Sequence, residues 1–200
     1  MTASPNTNST QSLILSHLEE HQQTVAKLHE FAPFIEELAG RILASLDEGG
    51  KVLFFGNGGS AADAQHLAAE FVVRFRRNRR AFAGLALTTD TSILTAGGND
   101  FGFDSIYARQ VEALARKGDI VIGISTSGNS PNVVNGLMEA KKQGCFAVAF
   151  TAEGGGKCAE VADFTFRAPS PVTARAQESH LLVGHILCDI VEDAVARRGR

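Results

Sequence analysis

Five short runs of apolar residues alternate with segments of helical pattern, and this alternation constrains the fold more than any other feature of the chain. The runs are KVLFF (51–55), GLALT (84–88), DIVIGI (119–124), CFAVAF (145–150) and DFTFRA (163–168). The helical segments lie near 59–75, 104–117, 131–143, 154–162 and 174–196. Apolar strands joined by helices are typical of a parallel sheet that is buried on both faces. We therefore predict a three-layer α/β/α sandwich with a five-stranded parallel sheet.

A helical arm, residues 11–50, precedes the first strand. Its apolar residues recur at helical spacing, and Pro33 predicts a boundary between two helices. Residues 1–10 are polar and are predicted to be flexible, whereas residues 51–197 are predicted to form the single domain that holds the sheet. Because so long an apolar stripe must be covered, we expect the arm to contact a partner subunit as well as its own domain.

The composition excludes several classes of protein. The 200 residues are 44% hydrophobic and 20% charged, as in one ordinary globular domain. The net charge of -3 argues against a nucleic-acid partner, and no apolar run approaches the roughly 20 residues that span a membrane. The basic run RFRRNRR (74–80) is either a solvated helix end or a rim that faces an anion. Three separated cysteines and a start without a signal peptide predict buried free thiols in a cytoplasmic protein.

The loop GNGGS (56–60) follows the first strand and opens a helix, which is where an open α/β sheet binds its ligands. Glycines let the backbone approach an anion, and the helix N-terminus offers amides. Gly56, Gly58 and Ala61 match only the weaker dinucleotide fingerprint, no acidic residue ends the second strand, and no Gly-Lys-Ser/Thr follows. The loop therefore predicts a phosphate or sugar-hydroxyl site. A dinucleotide site and a merely tight turn are the alternatives.

The segment STSGNSPNV (125–133) also lies between a strand and a helix. Ser130 and Pro131 suit the N-cap and the first position of that helix, so a capped helix is one interpretation. A cap needs one hydroxyl, but this loop has four, on Ser125, Thr126, Ser127 and Ser130. Hydroxyls and helix amides suit a reversibly bound phosphate monoester. The two loops together predict a phosphorylated small molecule, and the lack of a nucleotide motif favours a sugar phosphate.

Two helices carry side chains that could perform chemistry. His66 and Glu70 lie one turn apart on the helix that opens at the first loop. An exposed pair is the ordinary interpretation, but the flanking Ala and Phe residues predict burial, and a buried carboxylate needs a partner or a function. His185 in the last helix has core neighbours, so a core histidine is its ordinary interpretation. Two imidazoles and a carboxylate would suit Zn²⁺, for which ideal helix geometry weakly favours Glu178 over Gln177 as a fourth ligand.

Four motifs in order resemble those of the phosphoheptose isomerases, which belong to the SIS (sugar isomerase) domain family. They are FGNGGSAADAQHLAAEF, LTTDTSILTAGGND, GISTSGNSPNV and AQESHLLVGHILCDIVE, and the resemblance covers about residues 51–192. It implies a flavodoxin-like sandwich with a helical N-terminal arm. It also implies conversion of D-sedoheptulose 7-phosphate to D-glycero-D-manno-heptose 7-phosphate, the first step toward ADP-heptose and lipopolysaccharide. A homotetramer with active sites shared between subunits is implied as well.

The resemblance also implies roles for individual residues. Glu70 is the candidate base and His185 its acid–base partner in an enediolate mechanism. The ligands of one Zn²⁺ per subunit are His66, Glu70, Gln177 and His185, which selects Gln177 over Glu178. A carboxylate bound to a metal is a weaker base, so either Glu70 loosens from the ion or the ion is partly structural. The substrate contacts are Asn57, Gly58, Gly59, Ser60, Glu70, Arg74, Asn99, Asp100, Ser125, Thr126, Ser127, Ser130 and Gln177.

Two alternatives to the isomerase stay open. One is a non-catalytic SIS homologue that binds a phosphosugar or a protein such as a replication initiator. The other is a different SIS chemistry, namely another phosphosugar isomerase or a lyase. A pure binder has no need of both Glu70 and His185, and the AQESHLLVGH helix argues against the other chemistries.

Overall fold

The computed structural model describes residues 7–198, so that residues 1–6 of the predicted flexible segment lie outside the described part. All five predicted strands form, and they lie side by side in the order β2-β1-β3-β4-β5. Every neighbouring pair is parallel, as the sequence predicts. The strands are β1 (Val52–Gly56), β2 (Gly84–Ala86), β3 (Ile120–Ile124), β4 (Phe146–Thr151) and β5 (Phe164–Arg167).

Eight α-helices and two short 3₁₀ helices, Lys27–Phe31 and Phe103–Ser105, make up the rest of the regular structure in residues 7–198. The α-helices are α1 (Thr7–Ala26), α2 (Ala32–Asp47), α3 (Gly59–Val72), α4 (Thr91–Phe101), α5 (Ile106–Leu114), α6 (Pro131–Lys142), α7 (Gly156–Val161) and α8 (Thr173–Arg198). Helix α1 begins at Thr7 rather than at residue 11. The boundary predicted at Pro33 is confirmed, because this proline lies in the first turn of α2.

The sheet separates two apolar cores, which makes the predicted three layers. Alternate residues of β1 show the division, since successive side chains of a strand point to opposite faces. Phe54 packs with buried residues of α2, α3 and α8, whereas Phe55 packs with α5, α6 and α7. Both rings are almost fully buried, and a buried side chain of this size contributes about 1.5–3 kcal/mol.

Two features of the chain differ from the sequence-based expectation. Helix α4 was not predicted; Asp90 caps it by accepting a hydrogen bond from the Ile93 amide at 2.9 Å. The basic run 74–80 is not a helix end. Helix α3 stops at Val72, and arginines of the run pair with carboxylates of α8, including Asp189.

The three cysteines are buried and unpaired, as predicted. Within residues 7–198, no helix combines the length and the apolar character that a membrane span requires.

Candidate functional site

The two loops singled out in the sequence meet at the carboxyl edge of the sheet. Strand β1 has β2 on one side and β3 on the other, so the chain reverses its direction of winding between them. Gly56 at the end of β1 pairs with Ile124 at the end of β3, and the two loops therefore leave the sheet at the same level. Such a point of reversal forms a crevice in which open α/β sheets bind ligands.

The first loop is joined to its neighbours by side-chain amides. Asn57 and Asn132 form a reciprocal pair, in which each Nδ2 donates to the other Oδ1 at 2.8 and 2.9 Å. The Tyr107 hydroxyl donates to the Gly56 carbonyl and lies 3.4 Å from Asn57 Oδ1. Asn132 is in the first turn of α6, so this network ties the first loop to the second.

The second loop, residues 125–130, is called the seryl loop below. Ser130 is the N-cap of α6 and Pro131 is its first residue, as predicted. The Ser130 hydroxyl lies 3.0 Å from Ser125 Oγ, which lies 3.4 Å from Ser127 Oγ. Three of the four hydroxyls therefore cluster where the amides of α6 begin, and helix N-termini favour anions.

Gly128 lets the seryl loop close against a neighbouring loop. Its φ is +65°, and a β-carbon there would lie 2.0 Å from the Gly155 carbonyl oxygen. The Gly128 carbonyl accepts a hydrogen bond from the Cys158 amide at 2.8 Å. Side chains other than glycine rarely adopt this φ, so both the conformation and the contact require glycine here.

Helices α3 and α8 bring the predicted chemical side chains together. A β-carbon at Gly184 would lie 2.5 Å from Leu67 Cδ2, so the two helices approach closely only because Gly184 has none. His66 directly precedes Leu67 and His185 directly follows Gly184, and the Nε2 atoms of the two histidines are 2.7 Å apart. Glu70 Oε1 is 3.6 Å from His66 Nε2. These three side chains, His66, Glu70 and His185, are called the His–Glu face below.

The His–Glu face lies at the edge of the core rather than inside it. The His66 side chain is 45% exposed and that of Glu70 is 20% exposed, so the burial predicted for them is only partial. The His185 ring stacks on Phe75 at a centroid distance of 5.3 Å. Burial and the neighbouring His66 lower the pKa of His185, and Glu70 only partly opposes them. His185 is therefore poised to be neutral at physiological pH, as a proton acceptor must be.

Gln177 and Glu178 point to different parts of the molecule. A β-carbon at Gly59 would lie 2.3 Å from Gln177 Nε2, so this amide lies against the first turn of α3. The Glu178 carboxylate instead contacts His21 Nδ1 at 2.7 Å and Arg175 Nη2 at 2.8 Å. Ideal helix geometry favoured Glu178 for the site, and that preference was wrong because Glu178 holds α1 against α8.

The donor set of the His–Glu face can be compared with what Zn²⁺ requires. Tetrahedral ligands at about 2.0–2.1 Å from the ion lie roughly 3.4 Å from one another. The separations of 2.7 Å between the imidazoles and 3.6 Å from His66 to Glu70 lie on either side of that value. Within the described residues, no three His, Cys, Asp or Glu side chains are arranged as a ready cation site. The donor types fit Zn²⁺, whereas the arrangement is that of a hydrogen-bonded histidine pair.

Three of the predicted substrate contacts have no described interaction with either loop of this chain. Arg74 is exposed after the end of α3. Asn99 and Asp100 are exposed near the end of α4, where Asn99 Nδ2 donates to Asp100 Oδ1 at 2.7 Å. The other predicted positions belong to the two loops, to the His–Glu face or, for Gln177, to the contact with α3.

The sequence did not point to several residues of the site. Asn132 and Tyr107 hold the first loop, and Phe75 stacks on His185. Asp63, three residues before His66, has a buried Oδ2 atom without a hydrogen-bond partner among the described residues. Burial raises the pKa of Asp63, and His66 partly opposes this. The position of Asn132, just after the seryl loop, was the one available signal.

Comparisons with known proteins identify the family to which this chain is similar. The family model described as SIS domain matches residues 16–152. The phosphoheptose isomerase of Aquifex aeolicus is 53% identical over 180 residues, which cover 90% of this chain and 94% of that protein. The phosphoheptose isomerase of Paramagnetospirillum magneticum is 55% identical over 183 residues, 92% of this chain and 94% of that protein. The structure of a phosphoheptose isomerase from Neisseria gonorrhoeae superposes with a TM-score of 0.87 and 41% identity, covering 92% of this chain and 99% of that chain.

Proposed function

The chain belongs to the SIS domain family and, within it, to the phosphoheptose isomerases, and from this premise we propose that it interconverts D-sedoheptulose 7-phosphate and D-glycero-D-manno-heptose 7-phosphate. The observation that carries the proposal is the bridge made by the first loop. Asn57 joins it to the helix of the seryl loop, and Gly59 lies against Gln177 of the helix that carries His185. These contacts connect the proposed phosphate site to the helix that carries the proposed acid–base partner, His185.

The seryl loop would hold the phosphate of the sugar. Its clustered hydroxyls and the first amides of α6 can donate to the phosphate oxygens, and the helix N-terminus favours their charge. The loop has no arginine, which suits a product that must leave again. Binding energy at this remote end orients the reacting carbons without taking part in the chemistry.

The His–Glu face would perform the isomerisation. A base removes the proton from C1 of the ketose, an enediolate forms, and a proton is returned to C2. Glu70 is the proposed base for the proton on carbon. His185 is the proposed group that moves protons on the sugar oxygens, and its lowered pKa supports this role because it accepts a proton only when neutral.

We further propose that His66, Glu70, Gln177 and His185 hold one Zn²⁺, in keeping with the donor types of the His–Glu face. When bound, such an ion polarises the carbonyl and hydroxyl oxygens of a sugar and stabilises negative charge on them. The side chains of the protein still have to orient the sugar, exclude water and move the protons.

A homotetramer with shared active sites is proposed on two observations. Helix α1 exposes more than half of the side chains of Leu13, Ile14, Leu15 and Leu18, a patch that water disfavours and a second copy would cover. Arg74, Asn99 and Asp100 have no described contacts to the two loops of their own chain, and the crevice of a neighbouring subunit would give them a role.

A cytoplasmic location is proposed because the three cysteines are unpaired. The heptose would serve ADP-heptose and lipopolysaccharide synthesis.

The experiment that tests the proposed function is the turnover of sedoheptulose 7-phosphate by purified protein, with the metal content measured on the same sample. We expect aldoheptose 7-phosphate to form in proportion to the protein added. Saturable binding of the sugar phosphate without product, with Zn²⁺ supplied, would instead establish a non-catalytic binder and contradict the proposal.

A further inference from the structure

The basic run 74–80 contains one arginine that is buried, unlike its neighbours. The Arg79 side chain is 3% exposed, and its Nε atom lies 3.2 Å from Oε1 of Glu192, which is completely buried. Arg76 and Arg77 pair instead with Asp189 and Asp193 at the surface, where their side chains are 67% and 40% exposed. Surface pairs of this kind contribute little to stability. The Arg79–Glu192 pair differs from them because both of its side chains are withdrawn from water.

Glu192 organises the run as well as neutralising Arg79. Its carboxylate accepts hydrogen bonds from three successive backbone amides, those of Phe75 at 3.1 Å, Arg76 at 2.7 Å and Arg77 at 2.7 Å. Burial raises the pKa of Glu192, but the three amides and Arg79 outweigh it and hold this pKa below its ordinary value. The carboxylate is therefore ionised and fixes the backbone of Phe75, whose ring stacks on His185.

Arg79 reaches in the opposite direction, to the last turn of α3. Its Nη2 atom donates to the Glu70 carbonyl at 2.8 Å, and its Nη1 atom donates to the Phe71 carbonyl at 2.8 Å. Carbonyls in the last turn of a helix have no partner within the helix. The guanidinium fork supplies that partner in a geometry that an ammonium group does not reproduce.

The geometry points to Arg79 and Glu192 as positioning residues for the isomerisation, a pair that we call the arginine clamp. Glu192 lies seven residues after His185, about two turns of helix, and so on the same face of α8. The clamp thus connects the turn of α3 that bears the proposed base to the face of α8 that bears its proposed partner. The clamp sets the relative position of Glu70 and His185 without touching the substrate. This inference rests on the proposed function.

Two conservative substitutions test the clamp. Arg79→Lys keeps the positive charge but loses the fork, and Glu192→Gln places an amide NH₂ group against backbone donors. Each is made in the full chain with Zn²⁺ in excess, and assayed well below the melting temperature of the variant. Arg77→Gln is the matched control, because Arg77 lies in the same run and pairs with the same helix, but its side chain has no described contact with α3.

The readout is kcat per phosphosugar-binding site, counted by calorimetric titration. Because the seryl loop is untouched, we expect KM within about twofold of wild type, whereas kcat per site falls at least about tenfold through misplacement of the reacting groups. Proton removal from carbon becomes slower, so deuterium at C1 should slow each clamp variant at least as strongly as the wild type. Arg77→Gln should match the wild type in kcat and KM.

The opposite results are equally distinct. If Arg79→Lys and Glu192→Gln melt at a lower temperature but keep the wild-type kcat per binding site, the clamp only stabilises the fold and the inference is overturned. An equal loss in Arg77→Gln would also overturn it. A folded wild-type protein that binds the sugar phosphate but has no turnover would overturn the proposed function, and the role of the clamp in that reaction with it.

Discussion

The seryl loop and the His–Glu face are built in different ways. The seryl loop is closed by contacts from several sides. The Gly128 amide donates to Ser125, the Ala152 amide donates to Thr126, and Asn129 Nδ2 donates to the Ser127 carbonyl. The His–Glu face consists of one short contact between two imidazoles and a carboxylate 3.6 Å away, with His66 exposed at the edge.

The difference indicates which of the two regions a single chain can complete. A phosphate site needs only donors at fixed positions, and backbone hydrogen bonds within one chain supply that rigidity. The reacting half needs groups that exchange protons, and its two facing imidazoles leave one nitrogen pair to share a proton or a cation. We therefore expect substrate binding and turnover to respond separately to substitutions in the two regions.

The largest effect should follow from changing the proposed base. Glu70→Gln keeps the size of the side chain but removes its basicity, so turnover should fall by about 10³-fold or more, within the range attributed to general bases. Binding of the sugar phosphate should persist, because the seryl loop is unchanged. Turnover and calorimetric binding measured on one preparation decide this. Substantial residual activity would show that Glu70 is not the base.

Removing an imidazole should weaken Zn²⁺ binding more than phosphate binding. His66→Ala deletes one of the two facing nitrogens, so the affinity for Zn²⁺ should fall by more than the roughly 10- to 100-fold that is typical of substitutions behind a ligand. Metal content after dialysis against a weak chelator measures the loss. Full Zn²⁺ occupancy in the variant would remove His66 from the proposed ligand set.

A smaller loss of turnover is expected when the proposed assembly is disrupted. The pair of substitutions Ile14→Asp and Leu18→Asp charges one face of α1, where both side chains are 55% exposed. The mass in solution should fall below that of a tetramer, and turnover should decrease while phosphosugar binding is retained. The control is Ser12→Asp with Ser16→Asp on the opposite face of the helix. An unchanged mass in the Ile14 and Leu18 variant would show that α1 only covers its own domain.

In the seryl loop, the expected effect is on KM. Ser130→Ala removes one hydroxyl from the cluster, and a hydrogen bond to a charged group contributes about 1.5–3 kcal/mol, so KM should rise by roughly 10- to 100-fold with a smaller change in kcat. Steady-state kinetics measure the change in KM. The control is Ser16→Ala, which changes an exposed serine of α1. A fall in kcat at constant KM would mean that the two regions are not separable.

The last expected effect is on stability rather than on kinetics. His180 of α8 lies 2.9 Å from the Thr151 carbonyl at the end of β4, and burial lowers its pKa to about 4 against the smaller opposing effect of that hydrogen bond. Between about pH 6.5 and pH 4 the unfolded chain therefore binds a proton that the folded chain excludes. Its contribution to stability should fall by about 1.4 kcal/mol per pH unit as the pH decreases through this window.

Urea unfolding of wild type and His180→Gln at several pH values tests this dependence. The variant lacks the imidazole, so its free energy of unfolding should decline less steeply over the same range. Identical slopes in the two proteins would indicate that another group is responsible for the acid sensitivity.

Much of the fold could be predicted because its signals are local. Each apolar run that the sequence presents became a strand, and Pro33 marked the break between α1 and α2. Helix α4 escaped prediction because it contains Gly97 and Gly98 and has no fully buried residue that would impose an apolar period. Its start depends on the cap at Asp90.

The site was predictable to the extent that its chemistry lies in contiguous motifs. The loops and the His66–Glu70 spacing are visible in the chain, whereas Asn57 and Asn132 are 75 residues apart. The pairing of the basic run with Glu192 spans more than 110 residues. No local pattern encodes such contacts, since they depend on which helices become neighbours. For the same reason, ideal helical angles favoured Glu178 over Gln177, although the Glu178 carboxylate contacts His21 of α1.

The buried thiols make this molecule convenient for site-directed labelling. Burial raises the pKa of Cys145 to about 11 and those of Cys158 and Cys188 to about 12. At neutral pH these groups are protonated and shielded, so maleimides should leave them unmodified. A cysteine introduced at Ser12 would be the single reactive position, and spin labels attached there would report distances between copies without removal of any native cysteine.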